Sequence, residues 1–209
     1  MSGTPQSVDA LASLRQFIRP RRKIDQPCEL CGAELPAEHE HLVRLADRHL
    51  ACTCQACAIL FSDGNAHFRR VPRRAERLTD FQLSDAQWDG LLIPIELAFF
   101  FENSTAGRPL AMYPSPAGPT ESLLELTSWR ELVEQNPVLG RMRPDVEALL
   151  VNRVGGAREY YRVSIDRCYE LVGLIRLHWR GLSGGTEVWR HIGSFFDRLR
   201  QAEGSTAHG

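Results

Sequence analysis

Apolar and polar positions alternate in different rhythms along this chain, and the changes of rhythm divide it. In residues 1–24, a polar arm, only Leu11, Leu14, Phe17 and Ile18 are apolar at helical spacing, which predicts a brief helix before the basic stretch RPRRK. From 25 to 75 the apolar runs are short, and segments such as HLVRLADRHL suit strands or turns. Pro72 and the arginines after it mark a boundary. From Thr79 to 201 the pattern is that of a mixed α+β domain, and residues 202–209 read as a disordered tail.

Within 79–201 the elements are legible one by one. Ser84-Asp85-Ala86-Gln87 fits a capping box, and the helix it opens ends before Pro94. IELAFFF predicts a buried strand and RPLAMY a second one after the turn ENSTAGR. YPSPAGPTE, with three prolines, predicts an irregular, stiff loop. Ser128 with Glu131 predicts a helix over Trp129 to Gln135 that stops at Asn136-Pro137. DVEALLVNRV and AREYYRVSI predict two strands joined around Gly155-Gly156. IDRCYELVGLIRLHW predicts a helix with Cys168, Val172, Ile175 and Trp179 on its apolar face. After GLSGG, a last helix aligns Val188, Trp189, Ile192, Phe195, Phe196 and Leu199. The sum is an α+β protein: a small zinc-ribbon or rubredoxin-like module over 25–75, then a domain with an antiparallel sheet and C-terminal helices.

Composition adds few constraints. At 209 residues and 43% apolar the chain can bury one good core, or one core and a small module. A net charge of −1 gives no general affinity for nucleic acid or anionic membrane. The longest apolar run, Leu91 to Phe101, contains Glu96 and falls short of a membrane span, which needs about 20 residues. Arg21-Arg22 precede no apolar segment, so no export signal is expected and the chain reads as cytoplasmic, where thiols stay reduced.

That compartment gives the cysteines their meaning. Five of the six stand at Cys28, Cys31, Cys52, Cys54 and Cys57. Two CxxC turns brought side by side complete a tetrahedron of thiolates around one metal. Cys28 and Cys31, followed by the permissive Gly32, form one pair; Cys54 and Cys57 form the other. Cys52, His39 and His41 are the alternate ligands, with a solvated or supporting role the plainer reading for the two histidines. Zinc is the expected ion and iron the alternative, since tetrahedral sulfur suits both. A site closed by four thiolates has no position for substrate, so its role is structural.

Other features have plain explanations. FRRVPRRAER places five arginines after the cysteines, as a zinc-ribbon nucleic-acid binder would. Yet residues 1–80 hold 12 basic against 10 acidic side chains, which favours a solvated strip. RGLSGGTE matches no phosphate-binding fingerprint and predicts a turn between helices, capped by Ser183 or Thr186. Cys168 predicts a buried, inert thiol. No nucleophile and base stand in a recognised arrangement, and no enzymatic activity is expected.

Taken together, CELCG, CTCQACAILF, YPSPAG followed by TES, PDVEALLVNR, IDRCYELVGLIR and WRGLSGG with VW after it resemble an uncharacterised bacterial domain family with an N-terminal four-cysteine module. The resemblance covers about Leu14 to Leu199. Such proteins are often encoded beside high-affinity uptake nickel–iron hydrogenases. The resemblance therefore implies a protein partner and an accessory role in assembling, protecting or electronically connecting a hydrogenase. Two further readings follow from the cysteines alone: a rubredoxin-like electron carrier holding iron, and a zinc-ribbon regulator that binds nucleic acid.

Overall fold

The computed structural model describes residues 26–62, 66–123, 126–181 and 184–206; the polar arm, its short helix, Ser183 and the last three residues lie outside them. The first element is a hairpin, β1 (Glu40–Arg44) and β2 (His49–Thr53), and HLVRLADRHL is most of it. A short helix, α1 (Gln55–Ser62), follows, and β3 (Phe68–Arg70) pairs with the free side of β1, so the small sheet runs β2-β1-β3.

The remaining strands form one six-stranded sheet in the order β4 (Ala75–Arg77), β9 (Glu159–Ser164), β8 (Glu147–Asn152), β5 (Leu97–Asn103), β6 (Arg108–Ser115), β7 (Gly118–Ser122), every pairing antiparallel. Residues 75–77 thus already belong to the large sheet.

Period-two alternation assigns the two faces of this sheet. Phe99, Phe101, Leu110, Met112, Ala148, Leu150, Tyr161 and Val163 face α4 (Ile165–His178) and α5 (Gly185–Thr206), which supply Cys168, Val172, Ile175, Val188, Ile192, Phe195 and Phe196. Ala98, Phe100, Ala111, Leu149, Val151 and Tyr160 face the opposite layer of α2 (Asp85–Gly90) and α3 (Leu126–Gln135), whose Trp88, Trp129 and Leu132 cover them. Trp129 stacks on Phe100 with ring centroids 5.4 Å apart. Helices on both faces explain why stretches such as LAFFF and ALLV are apolar without interruption. Val43 and Val71 join the α4/α5 side of the core, so the small sheet is packed against the domain.

Four expectations need correction. YPSPAGPTE is a hairpin, with Pro116 and Ala117 at its tip, Ser115 opposite Gly118, and Pro114 opposite Pro119. Pro119 is tolerated because β7 is an edge strand and needs no donor on its outer side. The helix ending at Gln135 starts at Leu126, so Ser128 lies inside it instead of capping it. The final helix continues through Thr206, into the stretch assigned to the tail, because Gln201, Ala202 and Glu203 are compatible with helix and nothing breaks it earlier. Thr186 likewise falls inside this helix, beyond its first residue. The Ser84–Gln87 capping box stands as expected, with Ser84 Oγ accepting from Gln87 N–H and Gln87 Oε1 accepting from Ser84 N–H.

One buried ionic cluster ties the segment leaving the small sheet to the large one. Glu147, 1% exposed, accepts from Arg162 at 2.6 Å and from the Arg143 N–H at 2.7 Å, and lies 3.2 Å from Arg74, just before β4. Glu147→Ala would leave the half-buried Arg162, 13% exposed, without its carboxylate partner, a change that costs about 1 to 3 kcal/mol. The urea midpoint is expected to fall accordingly; a midpoint within error of the parent protein would show that the cluster is energetically neutral.

Candidate metal centre

The first CxxC pair sits in a tight knuckle. Cys28 N–H donates to Ala33 O at 2.7 Å, Gly32 N–H donates to Cys28 O at 2.8 Å, and Gly32 has φ +74°, where a side chain would be strained. The second pair is carried differently from a two-knuckle ribbon. β2 ends at Thr53, Cys54 immediately precedes α1, and Cys57 lies in its first turn, with Ala58 N–H donating to Cys54 O. The turn of a helix does the work of the second knuckle, and its positive end faces thiolate charge.

The four sulfurs of Cys28, Cys31, Cys54 and Cys57 lie within 4.8 Å of one another, and those of Cys31 and Cys54 are 3.7 Å apart. A tetrahedron with Zn–S bonds of about 2.3 Å has edges of about 3.8 Å, whereas a disulfide needs about 2.05 Å. The spacing therefore suits four ligands around one ion, and all four cysteines are free thiols. Cys28 and Cys57 are buried against Leu35 and Phe61, and Cys31 is exposed, so the site has a dry side and a wet side.

Electrostatics separates the two buried thiols. Burial raises the Cys28 thiol, but backbone N–H groups of Cys54, Cys31 and Leu30 outweigh it and bring it down to about 6. Burial and the neighbouring thiols of Cys31, Cys54 and Cys28 push Cys57 up to about 12. The four thiols therefore titrate as one linked set, drawn down by the backbone donors around Cys28 and held up by crowding around Cys57, and a cation among them would favour loss of all four protons.

The alternate ligands do not join this cluster. Cys52 faces His41 across the hairpin, and with His39 the three form a separate group whose ligand atoms lie within 4.8 Å of one another. Burial and the carboxylate of Glu29 push the Cys52 thiol up. His41 Nδ1 donates to Asp166 at 3.0 Å, a contact across 125 residues. Burial raises the Asp166 carboxyl, but His41 and Ser164 outweigh it and hold it below the usual range. Cys168 is fully buried, and that burial, with the Asp166 charge, holds its thiol well above the ordinary range.

Sequence reasoning missed a third group. His178, Glu187 and His191 converge at the α4–α5 junction, with the two imidazoles stacked 3.7 Å apart. Glu187 and His191 are four apart on one helix, which was visible; His178 comes from the other helix, which was not. The arginine strip is not presented as a bare basic face: Arg70 and Arg73 reach Glu40, while Arg74 pairs with Glu76 and Glu147. Among the described residues, no helix is long and apolar enough to cross a membrane.

No curated protein and no solved structure matches the chain. A family model does, over residues 27–203, a span that takes in the first knuckle, both sheets and most of the last helix, and on that match the chain belongs to the family of unknown function DUF5947.

Proposed function

We propose that the four-thiolate centre holds zinc in a structural role, and that the protein is a non-enzymatic, cytoplasmic accessory protein acting through contact with a protein partner. The observation that carries the metal assignment is the set of four sulfurs at tetrahedral spacing, two of them buried. Four protein thiolates leave no coordination position for a substrate, which is why the ion serves the fold. The apolar cluster around it is small, Cys28, Leu35 and Cys57 with Cys52, Cys54 and Phe61 beside them among the described residues, so an ion adds rigidity that this packing does not supply.

The partner reading rests on surface and resemblance. Leu30 in the knuckle and Ile59 and Leu60 on α1 are exposed, Leu60 to 73%, although they belong to the module that binds the ion. The resemblance to proteins encoded beside nickel–iron hydrogenases makes a hydrogenase subunit or another of its accessory proteins the partner to test. The proline hairpin, stiffened by Pro114, Pro116 and Pro119, and the turn between α4 and α5 are further contact surfaces.

Three outcomes are expected. After dialysis against a chelator mild enough to spare a four-thiolate site, Cys28→Ser or Cys57→Ser lowers zinc from about one per chain to roughly a tenth or less, while Cys168→Ala leaves it unchanged. A visible thiolate-to-iron charge-transfer band in the parent protein would replace zinc by iron and favour the electron-carrier reading. Stripping the zinc speeds amide exchange in residues 26–62 and leaves the strands from β5 to β9 protected; uniform exchange across the chain would show that the ion does not hold the module. The tagged full chain is expected to retain a hydrogenase subunit, identified by mass spectrometry, and to lose it on Leu60→Asp; recovery without any hydrogenase component overturns that assignment.

A further inference from the structure

We propose that His39, His41 and Cys52 form a second metal site, separate from the four thiolates, with two imidazole nitrogens and one thiolate as ligands and one coordination position left open. It takes a borderline divalent transition ion such as zinc or cobalt(II), for which mixed nitrogen and sulfur donors are well suited. The proposal stands independently of the function assigned to the four-cysteine centre.

Strand geometry brings the three together. His41 and Cys52 are direct partners in the β1–β2 register, so their side chains leave the same face of the hairpin. His39 is two residues before His41, on the same side, with the rings edge to face and centroids 4.8 Å apart. One donor atom from each of the three residues lies within 4.8 Å of the others.

The hydrogen bonds then choose the donor atoms. His39 Nδ1 lies 3.0 Å from Pro36 O, which can only accept, so Nδ1 carries the proton. His41 Nδ1 donates to the Asp166 carboxylate at 3.0 Å. Both rings are thereby held with Nδ1 as donor and Nε2 as the lone-pair nitrogen, the arrangement that a carboxylate or carbonyl imposes on a metal-binding histidine. His39 Nε2 is buried and has no hydrogen-bond partner. Buried polar atoms are nearly always satisfied, and a cation shared with His41 and Cys52 would satisfy this one.

The frame behind these ligands is rigid. Cys52 is pinned by Glu29, whose N–H donates to Cys52 O at 2.9 Å and whose carboxylate accepts from Cys52 N–H at 2.7 Å. Asp166 is fixed in turn by the Ser164 hydroxyl at 2.5 Å. His39, His41 and Asp166 line a cleft of about 700 Å³ between the small sheet and the start of α4. The fourth ligand position is therefore within reach of a donor from outside the chain, water or a partner's side chain. Three protein ligands hold an ion less tightly than four thiolates, so this site suits an ion that is exchanged or completed by a partner.

The test uses the full chain. At saturating zinc, two equivalents are expected per chain, the second removable by a mild chelator. Cobalt(II) added to the one-zinc form is expected to give tetrahedral visible bands with a near-ultraviolet thiolate-to-cobalt band. Cys52→Ser and His39→Gln should abolish these bands and the second equivalent while retaining the first, which also reports that each variant folds. Asp166→Asn, which alters a positioning residue, should weaken the second equivalent about 10- to 100-fold and spare the first. Independently of any variant, iodoacetamide should label Cys52 in the one-zinc chain and be blocked by the second equivalent. A single equivalent at saturation, a second one unaffected by Cys52→Ser and His39→Gln, or Cys52 labelled equally in both forms overturns the proposal.

Discussion

The six-stranded sheet has to be buried on both faces, and the rest of the structure is arranged around that constraint. Phe99 and Phe101 leave β5 on one side and Phe100 on the other, all at 2% exposure or less. A sheet of this kind needs a layer of helices on each face, because uncovered phenylalanines would forfeit roughly 1.5 to 3 kcal/mol apiece. The segments around Trp88 and Trp129 supply one layer, and the two C-terminal helices supply the other. The small sheet extends that second layer, inserting Val43 and Val71 beside the helices.

This placement has a chemical consequence. With the small sheet against the domain, β1 stands beside the start of α4, and His41 meets Asp166. The same hairpin thus has two duties. Its end, with the first turn of α1, brings Cys54 and Cys57 to the knuckle; its domain-facing side carries His41 and Cys52. Glu29, lying between Cys28 and Cys31, bonds to the main chain of Cys52 and to His49, and so fastens the knuckle to the hairpin. Anything that loosens the knuckle is transmitted to Cys52 through two hydrogen bonds.

The two cysteine environments differ in what they ask of an ion. Around the four sulfurs, backbone amides and the start of a helix already favour negative charge at Cys28, while the crowding of thiols holds the proton on Cys57. A divalent cation would resolve that crowding by taking all four as thiolates. Around His39 and His41 there is one sulfur and two oriented imidazoles, with a carboxylate behind one of them, and the space beyond is open.

Local chemistry was readable in the residues. The CxxC spacings, the Ser84–Gln87 cap, the hairpin at Gly155-Gly156 and the apolar faces of the last two helices all depend on neighbours within a few positions. The proline segment was misread because proline's stiffness says nothing about pairing, and whether β7 is an edge strand depends on the order of all six strands. Likewise, the spacing of Cys52 and Cys54 put them on one face of a strand only if the strand continued; it stops at Thr53, and the helix turns Cys54 away. By itself the sequence determined the donors, the elements and an α+β class, because these follow from periodicity and side-chain chemistry. Only the tertiary structure separated Cys52 from the four sulfurs, because the folding of knuckle, hairpin and α1 sets those distances, and backed His41 with a carboxylate 125 residues away, because the small sheet packs on the large domain.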